Sequence, residues 1–190
     1  MAEELKNKEK LIFNATLDLI NSIGFHVSSM SKIAKLAGVA PGTIYIYFES
    51  KQELVNKLYL YIKTDIASIA FKGFDESQSV EEGFKTIWYN VAKYKKKNIK
   101  EAMFSSLCDI TPMIEKGWEQ KGLELLEPLA KLWIRGQKEG IIKNVPMQLL
   151  YAFSMSPLSY LISEHQDKNI KLTKELIDHS YRIAWDSIKL

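Results

Sequence analysis

From Ser28 to Leu54 the chain reads S-S-M-S-K-I-A-K-L-A-G-V-A-P-G-T-I-Y-I-Y-F-E-S-K-Q-E-L, an order of apolar steps, caps and breakers that few backbones satisfy. Met30, Ile33, Ala34 and Ala37 recur at three- and four-residue intervals, which marks one face of a helix. Ser29 stands where its hydroxyl can cap that helix. Gly38 stands where the helix must stop in a left-handed conformation that only glycine adopts without steric cost. Val39 can pack into the corner, and Pro41 opens a second helix at the position where its missing N–H costs nothing. Ile44 and Phe48, four apart, face inward; Thr43, Tyr45, Ile46 and Tyr47 look partly or wholly outward. Ser50 and Glu53 form a capping box that starts a further helix. The stretch is a helix-turn-helix with an unusually aromatic second helix.

The pattern G-F-x-x-S-S-x-x-x-I-A-x-x-A-G-V-x-x-G-T-I-Y-x-Y-F-x-x-K-x-x-L, from about Lys10 to Leu54, resembles the DNA-binding domain of the TetR (tetracycline-repressor-like) transcriptional regulators. Beyond Tyr61 the resemblance is one of length and helical character. It implies that the helix from Pro41 to Phe48 enters the major groove of a double-stranded DNA operator. It makes Thr43, Tyr45, Tyr47 and Lys51 phosphate holders, which set register. Base reading then falls to Ser31 and Lys32 on the preceding helix, with Ser29 beside them, and to Pro41, Gly42, Tyr45 and Ile46. Ile46 suits a thymine methyl and Lys32 suits guanine O6/N7. Ala40 departs from the family, which often carries a capping serine or threonine there. Its loss costs about 1 kcal/mol in typical cases. With Gly42 also lacking a side chain, direct readout is expected to be sparse and DNA shape to contribute more.

Charge alone does not announce a nucleic-acid partner, because the net charge is only +3. Residues 1–63 hold eight lysines and six acids. The case rests on placed groups: Lys6, Lys8, Lys10, Lys32, Lys35 and Lys51. The densest basic run, Lys93 to Lys100, is far from the motif and reads as a solvated helix end. No apolar run reaches the ~18 residues of a membrane span. The N-terminus leads into no signal-type segment, and the single cysteine, Cys108, suits a reducing compartment. A cytoplasmic protein without membrane contact is expected.

The fold class expected is all-α, because no stretch alternates with period two for long enough to form a convincing strand. Lys8–Ile23 reads as a first helix closed by Gly24, with Phe25 tucked back and His26 in a loop. The helix from Ser50 to about Phe71 carries Leu54, Val55, Leu58, Tyr61, Ile62 and Ile66 on one stripe. Its ~20 residues give a rod of about 30 Å, long enough to join a DNA-binding unit to the rest of the protein. Later helices are expected at about Val80–Lys97, Ile99–Asp109, Pro112–Gln120, Leu123–Glu139 with Pro128 as a kink or the true start, Pro146–Ser163 bent at Pro157, and Thr173–Lys189. The domain division is placed at 1–48, DNA-binding, and 49–190, effector-binding and dimerisation.

The resemblance implies a small-molecule pocket among the middle helices. Trp88, Phe104, Cys108, Trp118, Trp133, Tyr151 and Met155 are its candidate lining, and their character favours a largely apolar effector. The same residues at helical spacing equally describe plain core. A two-fold reader on a palindrome needs a homodimer. The candidate interface is Leu149, Phe153, Leu158 and Leu161 on one helix and Ile177, Ala184, Trp185 and Ile188 on the last. No metal or cofactor is expected, and enzyme motifs such as H-E-x-x-H, G-x-S-x-G or a P-loop are missing. His165 and His179 stand in polar contexts that suggest solvation, not catalysis. The expectation is a ligand-responsive repressor of palindromic DNA. The alternative is a constitutive dimeric DNA-binding protein without an effector, and a third is a binder or enzyme whose helix-turn-helix is vestigial.

Overall fold

The regular elements are all helices in the computed structural model, which describes residues 2–190 and side chains from residue 7 onward; Lys6 lies outside the described side chains. α1 (Ala2–Ile23) begins before the expected Lys8, while α2 (Met30–Ala37), α3 (Pro41–Tyr47) and α4 (Lys51–Ala70) follow the sequence pattern closely. They lead to α5 (Val80–Lys97), α6 (Ile99–Ile110), α7 (Lys116–Glu124), α8 (Glu127–Lys138), α9 (Met147–Ser154), α10 (Pro157–Gln166) and α11 (Lys174–Ile188). Extended pairing among the described residues is limited to one isolated bridge, Ile142 with Lys189.

Two apolar cores organise the chain. In the first, Ile12, Phe13 and Ile20 of α1 meet Ile33 and Ala34 of α2, Ile44 of α3 and Phe48. Leu54, Val55 and Leu58 of α4 close it, each fully buried. Burying such a side chain contributes about 1.5–3 kcal/mol. The same cluster runs on through Ile62 to Phe104 and Cys108 of α6 and to Met113 and Ile114. The second core gathers Phe84, Ile87, Trp88 and Val91 of α5, Leu129, Leu132 and Trp133 of α8, and Tyr181 and Trp185 of α11. Ala70, at the far end of α4, belongs to this second core.

Four later elements differ from the sequence expectation. The helix expected from Pro112 does not start there: Thr111, just before it, ends α6, its hydroxyl donating to Leu107 O at 2.7 Å. α7 therefore begins later, at Lys116. The segment expected at Leu123–Glu139 is broken, and of the two roles open to Pro128, kink or true start, the second holds: it lies in the first turn of α8. Pro157 divides Pro146–Ser163 into α9 and α10, because proline lacks the N–H that would continue the ladder. The basic run is not wholly solvated, since Lys95 is buried.

α7 crosses α4 so closely that Gly122 has no room for a side chain: an added Cβ would lie 2.8 Å from Cε1 and Cζ of Tyr59. Tyr59 is itself buried. Gly122→Ala is therefore expected to push the Tyr59 ring aside and to destabilise by about 1–3 kcal/mol, the usual cost of overpacking. Urea unfolding of the two proteins checks this; unchanged stability would mean that α7 is free to slide.

Candidate nucleic-acid interface and ligand cavity

The turn between α2 and α3 closes as its residues demand. Ser29 is extended (φ −114°, ψ 153°), and its hydroxyl accepts from Lys32 N at 3.3 Å. Gly38 is left-handed at φ 69°. Its N–H reaches Lys35 O at 3.3 Å, and Val39 N reaches Ala34 O at 3.0 Å. That double closure satisfies the last carbonyls of α2. α3 starts on Pro41 with no side-chain cap from Ala40. Two buried side chains fix its angle, Ile44 and Phe48, the latter with its ring 5.6 Å from Phe13.

That anchoring leaves the predicted DNA-facing set outward. Ser29, Ser31, Lys32, Pro41 and Gly42 are exposed, as are Tyr45 (57%) and Ile46 (77%). Thr43 and Tyr47 are half-buried. Lys32 Nζ donates to Val27 O at 3.2 Å.

Lys51 is the residue whose role the structure changes most. Its ammonium donates to Phe25 O at 2.9 Å and Ser28 O at 3.0 Å, and stands 4.2 Å above the Phe25 ring. Two of its three N–H groups are thus committed to carbonyls of the α1–α2 connection, so it is a staple before it is a phosphate holder. No local spacing reveals this, because those acceptors lie 26 and 23 residues upstream. Beside it, Ser50 caps α4 by accepting from Glu53 N at 3.1 Å. Glu53 reaches back to Glu49 N at 2.6 Å, one residue before the N-cap itself. The Lys57 ammonium, then that amide, hold the Glu53 carboxyl below the usual carboxylate range.

Farther along α4 lies a cavity of about 510 Å³. Tyr59 and Lys63 of α4, Cys108 and Asp109 of α6, Glu119 of α7, Trp133 of α8 and Tyr151 of α9 are among its walls. Lys63 Nζ pairs with Asp109 Oδ1 at 3.1 Å. Burial pushes the Cys108 thiol up to about 12. The Trp133 Nε1–H is buried without an acceptor in the described residues. Cys108, Trp133 and Tyr151 of the expected lining are therefore together. Met155 stands in a smaller adjoining chamber, and Trp118 lines a separate groove with Phe13 and Tyr61. Trp88 and Phe104 are instead packed core, Trp88 Nε1 donating to Ser154 O at 2.9 Å. Sequence reasoning missed Tyr59, Lys63 and Asp109; the four-residue step from Tyr59 to Lys63 on α4 is the signal that marks a shared face.

α4 is also tied to the α6–α7 connection. Gln52 Nε2 donates to Met113 O at 2.8 Å, and buried Asn56 donates from Nδ2 to Glu115 Oε2 at 2.6 Å. Glu115 N returns a bond to Asn56 Oδ1 at 3.3 Å.

Of the expected dimer residues, Leu149 and Phe153 are exposed, and Leu161 and Ile177 are half-buried. Leu158, Ala184, Trp185 and Ile188 face the chain's own second core, because α11 turns that stripe onto α5 and α9. Tyr160 and Ile183, at 66% and 70% exposed, are left outside as well as Leu149 and Phe153. Ser187 of α11 donates to Phe153 O at 3.3 Å, which places α9 and α11 side by side. Among the described residues no cluster of three or more His, Cys, Asp or Glu could hold a metal, and no helix is long and apolar enough to cross a membrane.

Residues 12–58 match the family of bacterial regulatory proteins, tetR family, and residues 79–189 match the tetracyclin repressor-like C-terminal domain. An uncharacterized HTH-type transcriptional regulator of Haemophilus influenzae is 26% identical over 188 residues, 94% of each chain. The crystal structure of a TetR family transcription regulator from Marinobacter aquaeolei has the same fold, with a TM-score of 0.91 at 24% identity over 100% of this chain and 99% of that one. The transcriptional regulator FadR from Bacillus subtilis, solved in complex with stearoyl-CoA, aligns with a TM-score of 0.70 at 20% identity, covering 94% and 97%.

Two outcomes follow from this geometry. Lys51→Met should lower stability by about 1.5–3 kcal/mol, the range for hydrogen bonds to a charged group, measured by thermal unfolding. Cys108, titrating near 12, should resist iodoacetamide at pH 8 in the folded protein and react once urea unfolds it.

Proposed function

This chain belongs to the tetR family of bacterial regulatory proteins, and we propose that it acts as a dimeric repressor released from a palindromic operator by a small, largely apolar effector. It is a helix-turn-helix transcriptional regulator, and its relatives carry that description. The observation that carries the finer reading is the placement of α4. One end of it seats the outward face of α2 and α3, and its middle supplies Tyr59 and Lys63 to the cavity.

Ser31, Lys32, Gly42, Tyr45 and Ile46 read the groove in this account, and Thr43 and Tyr47 hold phosphate. The division between DNA-binding and effector-binding parts falls at residues 48 and 49. The effector occupies the cavity beside Trp133, Cys108 and Tyr151. The complex of a fold relative with stearoyl-CoA supports an apolar ligand for this arrangement. Occupancy moves α4 relative to α7 and changes the spacing of the two recognition helices from the ~34–36 Å that half-sites one turn apart require. The effector thus shifts the population toward a dimer that cannot span the operator. The second copy packs on the face that exposes Phe153 and Ile183.

Selection of sites from random duplex DNA tests the reading: a palindrome is expected, and no enrichment over bulk DNA would contradict it. On the recovered site, Ile46→Ala should cost about 1–3 kcal/mol at one base step and leave non-specific binding unchanged. Lys32→Ala should relax selectivity at one position; an equal loss on every sequence would make Lys32 a phosphate contact. The double variant Phe153→Glu, Ile183→Glu should sediment as a folded monomer and lose the palindrome, whereas an intact dimer would place the interface elsewhere.

A further inference from the structure

We propose that the effector is an amphipathic carboxylic acid whose apolar body fills the larger cavity and whose carboxylate is anchored on Lys95 in the small chamber behind it. This rests on the reading of the cavity as the effector site and adds the ligand's charge, its orientation and the residue that selects it.

Lys95 lies within a run of lysines, but α5 turns it onto the same inward stripe as Trp88, Val91 and Ala92. It is 5% exposed, and its ammonium donates to a neutral partner, Ser159 Oγ of α10, at 2.5 Å. Among the described residues it makes no ion pair. A buried ammonium without an anion is costly, since it has given up water for a single hydroxyl. Desolvation, with the like charge of Lys63 acting in the same direction against Asp109, lowers its pKa to about 8. It is thus still mostly protonated at pH 7.

The chamber it lines measures about 40 Å³ and also meets Lys63, Ser105 and Met155. A cavity needs about 10–15 Å³ for one water, so this one suits a carboxylate-sized group and is too small for a hydrocarbon chain. Its polar lining residues are Lys95, Lys63, Ser105 and Tyr151, with no acid among them, and among the described residues only Lys63 of the two lysines is ion-paired, with Asp109 of the larger cavity. The larger cavity, by contrast, carries both acids, Asp109 and Glu119. Lys63, Leu126, Leu129 and Tyr151 line both spaces and form the wall between them. Charge therefore runs from mixed in the outer space to positive in the inner one. That polarity admits an anionic head inward and disfavours an ammonium there. The outer volume of about 510 Å³ falls in the ~300–1,000 Å³ range of small-molecule sites.

Calorimetric titration of the full-length protein with sodium decanoate, 1-decanol and decylammonium tests the assignment. Wild type should bind decanoate at least about tenfold more tightly than decanol, and decylammonium more weakly than either. Lys95→Met, which replaces the buried charge by an apolar chain of similar length, should fold with no loss of melting temperature. It should bring the decanoate-to-decanol ratio to about one by weakening decanoate alone. An unchanged ratio in Lys95→Met, or wild-type preference for decanol, would overturn the anchor, as would failure of decanoate to bind at all. Ala130→Phe, which fills the outer cavity, separates the two levels. If decanol binds wild type and is lost in that variant, the cavity reading stands even where the carboxylate assignment has failed. If decanol binding survives the filling, or decanol never binds, the cavity reading fails with it.

Discussion

A single helix has to be built into two cores at once, and that requirement shapes the molecule. Leu54, Val55 and Leu58 of α4 complete the small core of α1, α2 and α3, which is too slight to hold those three helices by itself. Ala70, at its other end, is part of the core around α5, α8 and α11. Between those ends α4 carries Asn56, tied to Glu115, and Tyr59, pressed against Gly122. A 20-residue helix is a rod of about 30 Å, so displacement at its middle is delivered to its N-terminus. Coupling between two sites is typically worth 1–3 kcal/mol, and a few buried contacts of this kind supply that.

The DNA-facing surface inherits its rigidity from the same helix. Lys51, at the start of α4, holds the α1–α2 connection through Phe25 O and Ser28 O, while Phe48 locks α3 against Phe13. With the frame pinned from within, α3 can afford to present small and apolar groups outward. Ala40 and Gly42 offer no side-chain donors, and Ile46 stands free. Such a face suits recognition by fit and by backbone contact more than by a dense set of hydrogen bonds.

The helix-turn-helix was legible because each of its signals is local. Ser29, Gly38, Pro41 and Ser50 act on backbone groups a few residues away, so spacing alone places them. The all-helical class followed from the same periodicity. What the sequence hid depends on distant partners. Thr111 followed by Pro112 imitates a helix start, yet its hydroxyl turns back to Leu107 and ends α6. Trp88 and Trp133 have the same composition signal, but one is sealed by Ser154 and the other borders the cavity. On α11, Ala184, Trp185 and Ile188 look like an interface stripe, and only the packing on α5 and α9 shows that this stripe faces inward and Ile183 outward. Lys95 was concealed by its neighbours: Lys93, Lys96 and Lys97 are exposed, and composition averages over the one residue that is not.

The claim that α4 joins the DNA-facing surface to the cavity is tested most directly by hydrogen exchange, read peptide by peptide, with and without the selected duplex. The account predicts altered protection in α2 and α3 and also in the Tyr59–Ala70 half of α4 and in α7, which no DNA reaches. Changes confined to α1, α2, α3 and the first turn of α4 would contradict it, because the rod would then end where the DNA does.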